Sequence, residues 1–194
     1  MCGIFGIYSP NKNINFNTLP LDEILEQIRH RGPDDEGRFI DQNDGVCFGH
    51  KRLSIIDLNS GHQPIFNEDE SIVIIFNGEI YNFLSLREYL INRGHIFKTK
   101  TDTETIVHLY EEEGVECVKK LRGMFAFAIY DKTKKQIFLA RDRVGKKPLI
   151  YTVQNDTLYF SSELKPLLKC PDINRTINFD AINHYLTYQY IPTP

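Results

Sequence analysis

The order of apolar patterns along this chain constrains its fold most. Strand-like runs come first, two helical patterns follow side by side, and a meander of short strands comes after them. Residues 3–8 and 71–76 are short and continuously apolar, which predicts buried strands. Leu21, Ile24, Leu25 and Ile28 recur at helical spacing, so 21–29 predicts an amphipathic helix that Gly32 and Pro33 end. Residues 46–57 predict a strand or a bent pair of strands. Asn82 is placed to cap a helix over 83–93, closed by Gly94. Thr101 and Glu104 have capping-box spacing ahead of 105–113. Beyond Gly123 the signal changes to hairpins, with strands at 125–131, 136–141, 149–154 and 157–161. Two short helices follow at 163–168 and 179–188. Strict alternation of strand and helix is absent, which argues against a doubly wound parallel sheet. The order predicts an α+β chain, antiparallel sheet covered by helices.

At 194 residues, with 41% hydrophobic and 25% charged side chains, the chain suits one globular domain. A chain of this length buries about 70% of its extended surface and needs no metal or disulfide to hold a core. The net charge is -3 with both signs interspersed, so no basic stripe argues for nucleic acid. No apolar run approaches the ~20 residues of a membrane span. The first residues lack a cationic start and apolar stretch, and a cytoplasmic location is expected. The four cysteines, Cys2, Cys47, Cys117 and Cys170, show no C-x-x-C spacing, so neither a zinc site nor a disulfide framework is expected. Residues 189–194 are proline-rich and read as the start of a linker.

Cys2 has two readings. It is either a small strand residue or, once Met1 is removed, an N-terminal nucleophile. In the second case one residue carries a thiol and a free α-amine, which titrates near pH 8 and can take the thiol proton. That arrangement needs no histidine base. None of the six histidines carries a local catalytic signature, and no pair has H-x-x-x-H spacing for a metal. The alternating Phe125, Ala126, Phe127 and Ala128 are read as core strand.

The start M-C-G-I-F-G resembles the class II, N-terminal nucleophile, glutamine amidotransferases. Further segments narrow the resemblance to glutamine-hydrolysing asparagine synthetases. They are R-H-R-G-P-D at 29–34, R-L-S-I-I-D at 52–57, Gln63-Pro64, N-G-E-I-Y-N at 77–82, T-D-T-E at 101–104, G-M-F-A-F-A at 123–128 and S-S-E-L-K at 161–165. They arrive in the family's order and cover nearly the whole chain. The resemblance implies a four-layer αββα sandwich of mostly antiparallel sheets, with residues 2–188 as the glutaminase domain. The family's S-G-G-x-D-S loop for ATP is absent from this sequence. ATP and magnesium are therefore expected only in a C-terminal synthetase domain that this chain lacks, and no cofactor or metal is expected here. Thr101 stands where the family often has serine, and 143–148 is more basic than in many relatives. Neither departure is expected to touch the chemistry.

The resemblance implies Cys2 as nucleophile, and the Asn77 amide with the Gly78 N–H as an oxyanion hole. Asn-Gly is also a common turn. Arg52 would grip the α-carboxylate of glutamine through its donor fork, beside backbone groups of Ile55 and Ile56. Asp102, with Glu79, would accept from the α-ammonium, and Asp102 also suits the helix start electrostatically. Residues 29–34 are either a helix end and turn or a mobile cover over the site. The implied partners are glutamine and the synthetase domain, and a homodimer is compatible with the sequence. The resemblance implies hydrolysis of glutamine to glutamate and ammonia through a Cys2 thioester, with asparagine synthesis as the favoured use of the ammonia and another carboxylate or a sugar as the alternative acceptor. A glutamine-binding module without catalysis is the remaining alternative.

Overall fold

In the computed structural model, which describes residues 1–11, 14–54 and 61–192, the strands form two sheets. The first has the order β2 (Asp35–Asp41), β3 (Val46–Arg52), β1 (Gly3–Tyr8), β9 (Thr157–Ser161), β8 (Ile150–Gln154). The second has the order β4 (Ile65–Phe66), β5 (Ile72–Ile80), β6 (Gly123–Asp131), β7 (Gln136–Arg141). Every pairing is antiparallel. The helices are α1 (Leu21–Glu26), α2 (Phe83–Ile91), α3 (Asp102–Glu113), α4 (Leu164–Leu168) and α5 (Phe179–Tyr188).

Three apolar layers follow from the two-residue period of the strands. In β5, Val73 and Ile75 point between the sheets, while Ile74 and Phe76 face α2 and α3. In β6, Ala126, Ala128 and Tyr130 point between the sheets, and Phe125, Phe127 and Ile129 face the helices. In β1, Ile4 lies between the sheets, and Phe5 and Ile7 pack against Ile24, Leu25 and Ile28 of the α1 region and Leu167 of α4. Helix, sheet, sheet and helix therefore stack in four layers, as expected. Burial on both faces explains why β1 and β5 read as continuous apolar runs.

Some elements differ from expectation. The strand β2 has the sequence D-E-G-R-F-I-D and carries no apolar alternation, because it is an edge strand. Its charges are used locally, with Glu36 paired to Lys51 and Arg38. The β5 strand continues past Phe76 to Ile80, so Asn77 and Gly78 lie within a strand opposite Ala126 and Phe125. Pairing with β6 rules out the alternative reading of Asn-Gly as a turn. A Cβ on Gly78 would lie 2.3 Å from the Met124 carbonyl oxygen and 2.8 Å from Phe125 Cα. Only glycine lets the two strands approach this closely. Asn82 does not cap α2 through its side chain. It instead donates to the Lys120 carbonyl and accepts from Arg122 N–H, tying α2 to the start of β6. The Thr101 hydroxyl caps α3 by accepting from Glu104 N–H, but the Glu104 carboxylate accepts from Lys98 and Thr99 N–H rather than closing the box.

No helix among the described residues is long and apolar enough to cross a membrane. The α5 helix buries none of its side chains, and Phe179, Ile182, Tyr185 and Leu186 are exposed along it.

Candidate active site

One cleft opens where the ends of β1 and β3 in the first sheet meet the second half of β5 and the start of α3. Cys2, Arg52, Asn77, Gly78, Glu79 and Asp102 all line it. Each arrives from a different constraint. Gly3 pairs with Lys51, which sets Cys2 beside the end of β3 and beside Arg52. The β5–β6 register presents Asn77, Gly78 and Glu79 in succession. Asp102 is the first residue of α3. Ile55 and Ile56 fall outside the described residues.

The Cys2 sulfur is held by Leu53, whose N–H donates to Sγ at 3.4 Å and whose carbonyl oxygen accepts from it at 3.7 Å. Burial raises the thiol pKa. The Leu53 N–H, the N-terminal ammonium, Arg52 and Lys147 pull it down, and burial wins. The thiol is therefore protonated at neutral pH and needs a base to react. No histidine is among the described residues that line the cleft. His50 is fully buried nearby and its Nε2 donates to the Phe76 carbonyl at 3.1 Å. Burial lowers its pKa to about 4, against the opposing effect of the Phe76 carbonyl, so it stays neutral.

Asn77 is 1% exposed, and its Nδ2 has no hydrogen-bond partner among the described residues. A buried amide donor left unpaired costs about 1–3 kcal/mol. Here it faces a cleft beside the cysteine, where a ligand oxygen can satisfy it. Asp102 is also buried, and its Oδ2 accepts from Ile80 N–H at 2.9 Å. Burial pushes its pKa up to about 6, with the Glu79 charge adding to the rise and backbone N–H groups opposing it. Glu79 and Asp102 thus concentrate negative charge at one end of the cleft, and Arg52 and Lys147 place positive charge by Cys2.

Residues 29–34 include a 3-10 turn at Arg29–Arg31 that packs beside Cys2 and β3. Arg31 Nε donates to the Cys2 carbonyl at 2.9 Å, and its Nη1 pairs with Glu163 at 2.9 Å. The Asp34 carboxylate accepts from Ser54 N–H at 2.8 Å. A Cβ on Gly32 would lie 2.3 Å from the Lys51 carbonyl oxygen, so this turn packs directly on β3.

Lys147 corrects the expectation that 143–148 stands apart from the chemistry. It lines the cleft and its charge acts on the Cys2 thiol. Asp142 holds it there by accepting from the N–H groups of Phe125, Lys146 and Lys147. Gln63, Thr103 and Met124 also line the cleft without having been singled out. Gln63-Pro64 and T-D-T-E were visible as motifs, but their spacing carries no hint of a role.

The chain matches the family described as glutamine amidotransferase domain over residues 1–194. It is 43% identical to glutamine-hydrolyzing asparagine synthetase 1 of Bacillus subtilis (strain 168), with 100% of this chain and 30% of that protein covered. The putative glutamine-hydrolyzing asparagine synthetase 2 of Methanocaldococcus jannaschii is 42% identical over 100% of this chain and 40% of its own length. The chain therefore spans well under half of these relatives. Among solved structures, glutamine phosphoribosylpyrophosphate amidotransferase from B. subtilis superposes with a TM-score of 0.65 at 22% identity, over 86% of this chain and 43% of that one. The fold is that of the N-terminal nucleophile hydrolases, α+β with two antiparallel sheets.

Proposed function

The chain belongs to the glutamine amidotransferase domain family, and from that premise we propose that it hydrolyses glutamine to glutamate and ammonia through a thioester on Cys2. The observation that carries the proposal is the unpaired, buried Asn77 amide in the same cleft as the Cys2 sulfur. Removal of Met1 leaves Cys2 with a free α-amine. That amine takes the thiol proton that burial otherwise holds in place. The thiolate attacks the side-chain amide carbon of glutamine. The carbonyl electrons move to the oxygen, which the Asn77 Nδ2–H and the Gly78 N–H stabilise. The intermediate collapses, the carbon–nitrogen bond breaks, and the Cys2 α-ammonium gives its proton to departing ammonia. Water then hydrolyses the γ-glutamyl thioester.

Arg52 receives the substrate α-carboxylate, and Asp102 with Glu79 receives the α-ammonium. Backbone groups of Ile55 and Ile56 complete the grip in this reading. Binding both charged ends fixes the side-chain amide against Cys2, which is where positional catalysis arises.

The ammonia then serves an ATP-dependent amidation in a further domain, with aspartate as the favoured acceptor. Support comes from the names and the greater length of the relatives. The exposed apolar side chains of α5, followed by the 189–194 segment, offer a surface for such a domain. ATP and magnesium belong to that domain and not to this cleft. In this reading the setting is cytoplasmic, where thiols stay reduced.

The test is Cys2→Ala. Ammonia release is abolished while calorimetric glutamine binding persists, because other residues hold the substrate. Undiminished ammonia release by the purified variant removes Cys2 from the mechanism and leaves a glutamine-binding module as the reading.

A further inference from the structure

A second cluster of chemistry-bearing side chains lies on the far half of α3, away from the cleft. Glu68 comes from the segment between β4 and β5, His95 follows α2, and His108 and Glu111 lie on α3. One ligand atom from each of the four lies within 4.8 Å of the others. His108 Nδ1 is 2.8 Å from Glu111 and 3.2 Å from Glu68. His95 Nδ1 is 3.1 Å from Glu68 and 3.7 Å from Glu111. Both imidazoles thus turn the same nitrogen toward the same two carboxylates.

We propose that Glu68, His95, His108 and Glu111 form a site for a divalent transition-metal ion, Zn²⁺ by ligand type, which ties the segments at Glu68 and His95 to α3. A tetrahedral zinc ion with ligands at about 2.0–2.2 Å separates its donors by about 3.3–3.5 Å. The separations above, to Glu68 Oε1 from His95 and to Glu68 Oε2 from His108, lie around that value, and the widest donor separation of 4.8 Å closes by small side-chain rotations about the ion. Hydrogen bonds alone serve this geometry poorly. Each Nδ1 carries at most one hydrogen, yet each faces two carboxylates. The two rings also sit 4.8 Å apart, where two imidazolium charges repel. A central cation meets all four groups at once, and two carboxylates with two neutral imidazoles balance its charge.

The surroundings orient the ligands as a metal site requires. His95 Nε2 lies 3.2 Å from Glu112, whose carboxylate is itself held by Arg93. Asn67 Nδ2 donates to the other oxygen of Glu111 at 2.8 Å. Ile96 N–H donates to Glu68 at 3.0 Å. His108 is 1% exposed, and its Nε2 lies 3.8 Å from the buried Glu104 with no hydrogen-bond partner among the described residues. Glu68 and Glu111 are open enough for an ion to enter. Three carboxylates, Glu68, Glu104 and Glu111, surround the His108 ring, and such a field favours a cation. The two histidines are far apart in sequence, so no spacing rule pairs them.

The test uses the chain carrying Cys2→Ser, which removes the cleft thiol as a competing zinc ligand. After chelator treatment, the protein is dialysed against Zn²⁺ alone and its metal content and melting temperature are measured. The expected result is one zinc per chain and a Tm rise of about 5–10 °C at a hundredfold excess over Kd. His95→Asn and Glu111→Gln, each folded by circular dichroism, lose both effects. Absence of zinc in the parent protein overturns the proposal. So does full zinc occupancy retained by both variants.

Discussion

The main-chain N–H of Phe76 donates to the side-chain oxygen of Gln63 at 2.7 Å, in the buried wall of the cleft. The contact matters because β4 ends at Phe66 and pairs only with Val73 and Ile74 of β5. Further along, the outer edge of β5 has no strand partner among the described residues, and side chains take its place. Gln63 takes the Phe76 N–H, and His50 Nε2 takes the Phe76 carbonyl. The next residue is Asn77. Two side chains therefore fix the peptide from which the proposed oxyanion hole extends.

Gln63→Ala leaves the buried Phe76 N–H unpaired, which costs about 1–3 kcal/mol. The expected Tm loss is about 2–12 °C. The expected kcat loss is about 10–100-fold with a smaller change in KM, since the misplaced group acts on the transition state. Steady-state kinetics beside a thermal melt check this. A normal kcat with a lowered Tm would reduce Gln63 to a purely structural role.

Asn77→Ala removes one of two donors to the developing oxyanion. The expectation is a kcat lower by about 10²–10³-fold with KM changed only a few-fold. Equal losses in substrate affinity and nothing in kcat would place Asn77 in ground-state binding instead.

Asp102 gives the site a pH dependence in binding, separate from chemistry. Its carboxyl has a pKa near 6 in the folded protein, raised by burial. Above that pH it is ionised and attracts the glutamine α-ammonium. Below it the charge is lost, so affinity in the Cys2→Ala protein falls up to tenfold per pH unit below about 6. Stability runs the opposite way. A carboxyl with a raised pKa favours the native state fully below its unfolded pKa, and that contribution is lost as pH rises through about 6. Asp102→Asn is thus expected to raise Tm at pH 8 and not at pH 4, while weakening glutamine binding at neutral pH. Calorimetry and melts across that range decide it, and a pH-independent affinity contradicts the assignment.

The parts of the fold that bury apolar groups periodically were readable in the sequence. The bounds of β1, β7 and β9 agree with their patterns, because nothing beyond local sequence competes with them, and α5 agrees too although it buries none of its side chains. The β2 strand was invisible because an edge strand with charged side chains lacks the pattern of a buried one. Asn77-Gly78 has the composition of a turn, and only pairing with β6 makes it strand. At the site, Cys2, Arg52, Asn77, Gly78, Glu79 and Asp102 were named from motifs, and the fold brings all six to one cleft. Gln63 stood in a motif without a role, and Lys147 in none, because each reaches the cleft through a hydrogen-bonded loop rather than a spacing. His95 and His108 meet only through the packing of the segment after α2 against α3.

The central claim is that the α-amine freed from Met1 is the base that activates Cys2. It is tested most directly by separating Met1-processed from Met1-retaining protein, verifying each by intact mass, and measuring ammonia release from glutamine. The account predicts that the retaining fraction is slower by about 10²–10⁴-fold, the size of a missing general base. It also predicts that the processed fraction loses activity as pH falls below the amine pKa near 8. Equal rates in the two fractions would contradict it.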